Sequence, residues 1–328
     1  MSEIARPLGP PGQVAVEPPA AGRMDPPAGR VQALPRPGRW IAAVVILVVV
    51  TQVAHGLVTN PFYEWDRFGY WFFRPVILRG VVVTLKVTAY SAVLGLLGGV
   101  LLALARLSTN PVLRAVSWVY IWLFRSIPLL VVLLFLYNFG ALYRTLTLGV
   151  PFGPSVFTFN ESRLATELTV AVIGISLNEA AYAAEVVRAG LLSVDQGQRE
   201  AAVALGLPRS YQVRRIILPQ ALRAIVPAYV NQLIGLIKST SLVYYVSLID
   251  LFGAQETMGS TYPTDIIPLL IVATVWYLIL TGIISVVQFY VERYFARGAV
   301  RTIPPTPWQA LRAKVRGLRG TARLAGAR

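Results

Sequence analysis

Apolar residues fall into six long runs separated by short polar stretches. The runs cover residues 40–58, 80–105, 116–142, 168–187, 224–249 and 266–291. Each is long enough to cross a hydrocarbon core of about 30 Å at about 1.5 Å per residue in a helix. No formal charge occurs from Trp40 through Tyr63, and the sixth run is uncharged throughout. Lys86 interrupts the second run, Arg125 and Pro128 the third, and Lys238 the fifth. The fourth run carries Glu179 and Glu185 and is the weakest. The pattern predicts an all-α integral membrane protein with six transmembrane helices.

Composition agrees with this reading. Hydrophobic residues make up 55% of the chain and charged residues only 14%, where a soluble domain would carry about 25% charged. The net charge of +15 would by itself suggest nucleic acid, but the bases sit mostly at the edges of the apolar runs, as membrane topology requires. No nucleic-acid partner is expected. With both termini placed in the cytoplasm, 22 of the 30 Lys and Arg residues fall on the cytoplasmic side and five, Arg67, Arg74, Arg79, Arg144 and Arg163, on the other. That bias, with an even number of spans, predicts a multi-pass inner-membrane protein with both termini cytoplasmic. Residues 1–38 are rich in Pro, Ala and Gly and read as a disordered cytoplasmic tail that is not cleaved. Residues 39–59 form an N-terminal transmembrane helix, 75–295 a core domain, and 296–328 a basic cytoplasmic tail suited to resting on anionic lipid. Trp65, Tyr70, Trp71 and Phe72 in the first outer loop read as interfacial aromatics.

Several chemistries are excluded. There are no cysteines, and the only histidine, His55, lies in an apolar run, so no metal site and no cofactor are expected. A phosphate loop needs Gly-x4-Gly-Lys-Ser/Thr; the nearest string, Gly235 to Thr240, has Ile237 where the second glycine belongs and sits inside a span. The chain is therefore expected not to be an enzyme, and any ATP must bind another chain.

The longest cytoplasmic loop, 191–222, carries the strongest signal. Residues 198–205 are good helix formers, Gly206 suits a left-handed helix end, and Pro208 suits the first turn of a second helix. Leu218-Pro219 marks a further break before the fifth span. Ala201, Ala202 and Leu205 offer a small apolar face beside Glu200, of the kind that lies in a groove of a soluble partner.

Glu200-Ala201-Ala202, then Gly206, then Ile216-x-Leu218-Pro219 resembles the EAA motif of ABC-transporter permeases. Phe124-Arg125-Ser126-Ile127-Pro128-Leu129-Leu130 resembles the FRGTPLL segment of the polar amino-acid importer family, with Ser126-Ile127 in place of Gly-Thr. Residues 178–190 resemble that family's AYxAExxRG stretch, with Ala189 added before Gly190. Leu236 to Leu242 resembles its fifth span, which usually has Asp where Ser239 stands. The resemblance covers about residues 75–295. It implies the type I fold of ABC-importer permeases, here with an extra N-terminal helix. It also implies that Glu200, Ala201, Ala202, Leu205 and Gly206 dock on an ATP-binding subunit. The implied assembly contains a second permease copy or homologous permease and a periplasmic or lipid-anchored solute-binding protein. The implied substrate is a polar amino acid or a relative such as an opine, moved by alternating access.

Charged and polar groups at membrane depth are costly and are functional candidates. Glu179 and Tyr182 share a face of the fourth span, and Asn231 and Lys238, seven apart, share a face of the fifth. Lys238 with Glu179 would hold the carboxylate and ammonium of a zwitterion. Inter-helix pairing is the alternative for these groups, and Glu185 with Arg188 is read as such a pair. Arg125 beside Pro128 either lines the pathway or braces a kink. Lys86 snorkels outward, and Gly95, Gly98 and Gly99 allow close helix packing. A stand-alone secondary transporter or channel is the alternative function; it would show two similar halves with matching broken helices. A membrane enzyme or signalling scaffold would need a site that the sequence does not offer.

Overall fold

In a computed structural model, the structure describes residues 37–139, 145–149, 155–160 and 166–295. The Pro-rich and basic tails, Arg144 and Arg163 lie outside the described residues. The chain divides into two units, residues 1–59 and 60–328. Helix α1, Pro37–Thr59, is the described part of the first.

The second unit runs as follows. A short 3-10 turn, Pro61–Tyr63, leads into α2, Trp65–Phe72. Next come α3, Pro75–Arg106, α4, Pro111–Ser126, and α5, Leu129–Tyr137. Strands β1, Thr145–Gly149, and β2, Ser155–Asn160, pair antiparallel with Leu146 opposite Phe159 and an irregularity at Leu148/Gly149. Helix α6 spans Glu167–Leu192 and α7 Gln196–Ala204. A single turn, α8, Arg209–Tyr211, passes through a π-helical segment, Gln212–Ile217, into α9, Leu218–Ser239. A 3-10 segment, Thr240–Val246, precedes α10, Leu251–Thr261, and a 3-10 turn, Pro263–Asp265, precedes α11, Ile266–Phe295.

Local chemistry sets most of these boundaries. Proline stands in the first turn of α3, α4 and α9, where its missing N–H costs nothing. Asn110 caps α4 by accepting from the Val112 amide at 2.9 Å. Thr166 does the same for α6 and Asp195 for α7, each satisfying an amide the helix leaves open.

Among the described residues four helices, including α1, are long and apolar enough to cross a membrane, and the number reaches six if each of two bent pairs is one span. The third expected span is broken at Ile127-Pro128, where α4 and α5 meet at 99°. Pro128 holds Ile127 in an extended conformation (φ −86°, ψ 130°), which ends the helix. The fifth span does not stop at residue 249. The chain bends there by 47° into α10, an element not expected from the sequence, as are α2 and the β1–β2 hairpin.

The core is built on the seam between α3 and α6. Lipid tails are as apolar as leucine, so helix association in a membrane draws on close packing. A Cβ on Gly99 would sit 2.5 Å from Ala183 Cβ and 2.9 Å from the Ala184 amide; one on Gly95 would collide with Glu179. The seam thus requires glycine, as the spacing predicts. Three apolar clusters flank it. One joins Ile77, Ile237, Leu251 and Leu269, a second Val87, Leu133, Ile175 and Val243, and a third Ala103, Val187 and Ile225.

Candidate docking arm and intramembrane polar sites

The loop predicted to carry function folds as an arm of two short helices. Ser193 closes α6 by donating to the Gly190 carbonyl, and Arg199 donates to the Leu191 carbonyl from within α7. Gln196 donates to Glu200 at 2.7 Å along the exposed side of α7. The helix ends in a Schellman motif. The Gly206 amide donates to Val203 at 2.9 Å and the Leu207 amide to Ala202 at 3.2 Å. Gly206 has φ +65°, the conformation that needs no Cβ.

Glu200, Ala201, Leu205 and Gly206 are all exposed, Leu205 at 75%. Ala202 departs from expectation: it is only 3% exposed. Residues 201 and 205 stand four apart on one side of the helix, and 202 is rotated inward from them. The outward apolar surface is therefore Ala201 and Leu205, with Val203 bordering a groove of 630 Å³ shared with Leu192, Arg199 and Glu200.

The intramembrane candidates separate into three places. Glu179 is buried in the α3–α6 seam, where it accepts from Gln232 Nε2 at 2.7 Å. Beside it, Tyr229 donates to the Ala92 carbonyl at 2.6 Å. Glu179 is enclosed in the seam, while Asn231 and Lys238, the latter near the end of α9, are both exposed. Tyr182, three residues from Glu179, turns toward α4 instead. The Arg125 guanidinium lies 5.3 Å from the Tyr182 ring centroid. Both border a polar cavity of 420 Å³ with Arg106, Trp118, Trp122 and Glu185. Next to Arg125, the Phe124 carbonyl accepts from Asn178 Nδ2 at 2.8 Å, which ties the break to α6. Glu185 pairs with Arg188 at 2.7 Å within α6.

Two buried carboxylates were not singled out from sequence. Asp250 caps α10 through the Gly253 amide at 2.9 Å and accepts from Thr84 and Tyr277, each at 3.2 Å. It joins α3, α10 and α11 at one point. Asp265 accepts from Trp71 Nε1 at 2.7 Å and from Arg67 at 2.8 Å. This corrects the reading of Trp71 as an interfacial residue: it is buried, while Trp65 and Tyr70 stay exposed. An Asp-x-x-Gly string after an apolar run was the available signal for Asp250. Nothing local points to Asp265.

Comparison with known proteins places this geometry. Residues 95–297 match the family described as "Binding-protein-dependent transport system inner membrane component". The arginine transport system permease protein ArgU of Corynebacterium glutamicum is 38% identical over 295 residues, covering 89% of this chain and 91% of the relative. The glutamate/aspartate import permease protein GltK of Escherichia coli is 38% identical over 217 residues, 66% of this chain and 92% of the relative. Among solved structures, an amino acid ABC transporter crystallised with histidines aligns with TM-score 0.57 at 30% identity, covering 67% of this chain and 94% of that one. The MetNI methionine ABC transporter shares the fold, with TM-score 0.55 at 23% identity over 68% of this chain and 97% of that one. These likenesses displace the stand-alone transporter reading. The chain belongs to the inner-membrane components of binding-protein-dependent transport systems, and is a multi-pass permease subunit of an ABC importer.

Proposed function

We propose that this permease forms half of a pathway for a polar amino acid or a close relative, driven by ATP hydrolysis in a partner chain that docks on α7. The observation that carries the docking assignment is the arm itself. Its helix is capped at both ends, exposes Glu200, Ala201 and Leu205, and ends in a rigid αL turn. A partner groove receives such a helix with little ordering cost. The substrate class follows from the names of the relatives, which transport arginine, glutamate and aspartate. Arg125 and Tyr182 in the polar cavity, and Asn231 and Lys238 on the exposed side of α9, are the pathway groups. Glu179 acts from inside the seam by holding Gln232. A second permease copy or a homologue completes the pathway, and a periplasmic or lipid-anchored binding protein delivers the substrate. Both termini and the 191–222 arm lie in the cytoplasm, in keeping with the Lys and Arg bias. For its domains we keep the sequence reading: tails at 1–38 and 296–328, an N-terminal transmembrane helix at 39–59 and a permease core at 75–295.

The test is ATPase activity in proteoliposomes containing this chain, its ATP-binding subunit and its binding protein, with amino acids added in turn. Stimulation by one chemical class of amino acid is expected. A stable complex that no amino acid stimulates would move the substrate elsewhere and leave the docking assignment standing.

A further inference from the structure

A basic cavity opens where the arm enters α9. Its volume is 500 Å³, and its lining is Pro208, Ser210, Tyr211, Arg214 and Arg215, with no acid among them. Two guanidiniums and two hydroxyls form a donor set that suits phosphate, and arginine forks bind phosphate oxygens in pairs. The cavity lies at the first turns of the bent helix pair that begins at Arg209 and is long and apolar enough to be one span; a span that starts there sets these turns beside the lipid headgroups. Just beyond the cavity, Leu218 and Leu222, four apart on one side of the first turns of α9, are both more than a third exposed. A phosphate site followed in the next turns by exposed leucines fits a two-part ligand: an anionic head and apolar chains.

We propose that this cavity binds the headgroup of an anionic phospholipid, with its acyl chains against Leu218 and Leu222. The leaflet is the cytoplasmic one under the functional reading above; the site itself stands without that reading. A basic tail on a membrane surface attracts anionic lipid diffusely, whereas this cavity holds one molecule in place.

The full chain, purified alone in detergent with an equimolar mixture of phosphatidylglycerol and phosphatidylcholine, provides the test, with retained lipid counted by native mass spectrometry. The unaltered chain should retain phosphatidylglycerol preferentially. The double variant Arg214→Ala/Arg215→Ala should lose about tenfold of that preference. Arg223→Ala, outside the cavity, should keep it. Arg214→Lys/Arg215→Lys, which keeps charge and should fold, is expected to fall between. Retention by the alanine pair equal to that of the unaltered chain would overturn the proposal. So would displacement of the lipid by millimolar inorganic phosphate, which would make free phosphate the ligand. Unchanged lipid retention with lost binding of the ATP-binding subunit would overturn it too, and give the cavity to that partner. The assay contains no transport partner, so a failed transport experiment leaves its outcome untouched.

Discussion

Two alanine-rich helices in this molecule have opposite fates. In α6, Ala180, Ala181, Ala183 and Ala184 are all buried. In α7, Ala201 and Ala204 are exposed and Ala202 alone is covered. The residue type is the same, and so is its helix propensity. The difference lies in what approaches. In α6, alanine faces Gly98 and Gly99 of α3 and lets two backbones meet. In α7, under the docking proposed above, alanine would keep a surface low enough for another protein to seat on. On that proposal a small residue marks contact in both places, with the chain's own backbone in one and with a partner in the other.

The sharpest test of that contrast is Gly99→Leu. Its Cβ would meet Ala183 and the backbone of Ala184, so neither side can yield. A loss of about 3 kcal/mol is expected for such overpacking, read as a lowered thermal midpoint or failure to accumulate in the membrane. Asp250→Ala comes next. It strips the acceptor from Thr84, Tyr277 and the Gly253 amide, and about 2 kcal/mol is expected from donors left buried. Asp250→Asn, which keeps an acceptor oxygen, should recover part of the midpoint. On the arm the scale falls. Gly206→Ala meets no neighbour and suffers only from its positive φ, about 1 kcal/mol, read as a local rise in hydrogen exchange over α7. Glu200→Lys should change stability by less than about 0.5 kcal/mol, yet abolish association with the ATP-binding subunit in pull-down while insertion is normal. Normal uptake by that variant would break the comparison, since the exposed alanine surface would then serve no partner.

The parts of this structure visible in the sequence are those governed by near neighbours along the chain. Gly206 was legible as a left-handed helix end because the helix before it and Pro208 after it are adjacent in sequence. The seam glycines were legible from their spacing, and Pro128 from the fact that proline cannot sit unmarked within a span. The 99° at that break was not legible, because proline dictates that a helix stops and leaves the new direction to packing. The partner of Glu179 was not legible for a related reason: which residue of α9 meets the seam is set by packing between distant segments, and it is Gln232. Asp265 was invisible: Arg67 and Trp71 stand 198 and 194 positions away, and nothing beside any of the three announces the others. Ala202 shows the limit within a single helix, where one step of about 100° separates a surface residue from a covered one.

The π-helical segment at Gln212–Ile217 has a further consequence. A turn closed between residues five apart holds one residue more than an α-helical turn. The chain between Pro208 and α9 therefore stores a spare residue. Deleting one residue there would let the segment close as ordinary helix while the turns on either side keep their places, because the wider turn already spans the extra residue. The packing of α6 on α9, held by Val187 against Ile225, would then be kept. The segment is the place where this chain tolerates a change of length: a one-residue deletion is absorbed within a single turn and is not passed on to the helices it joins.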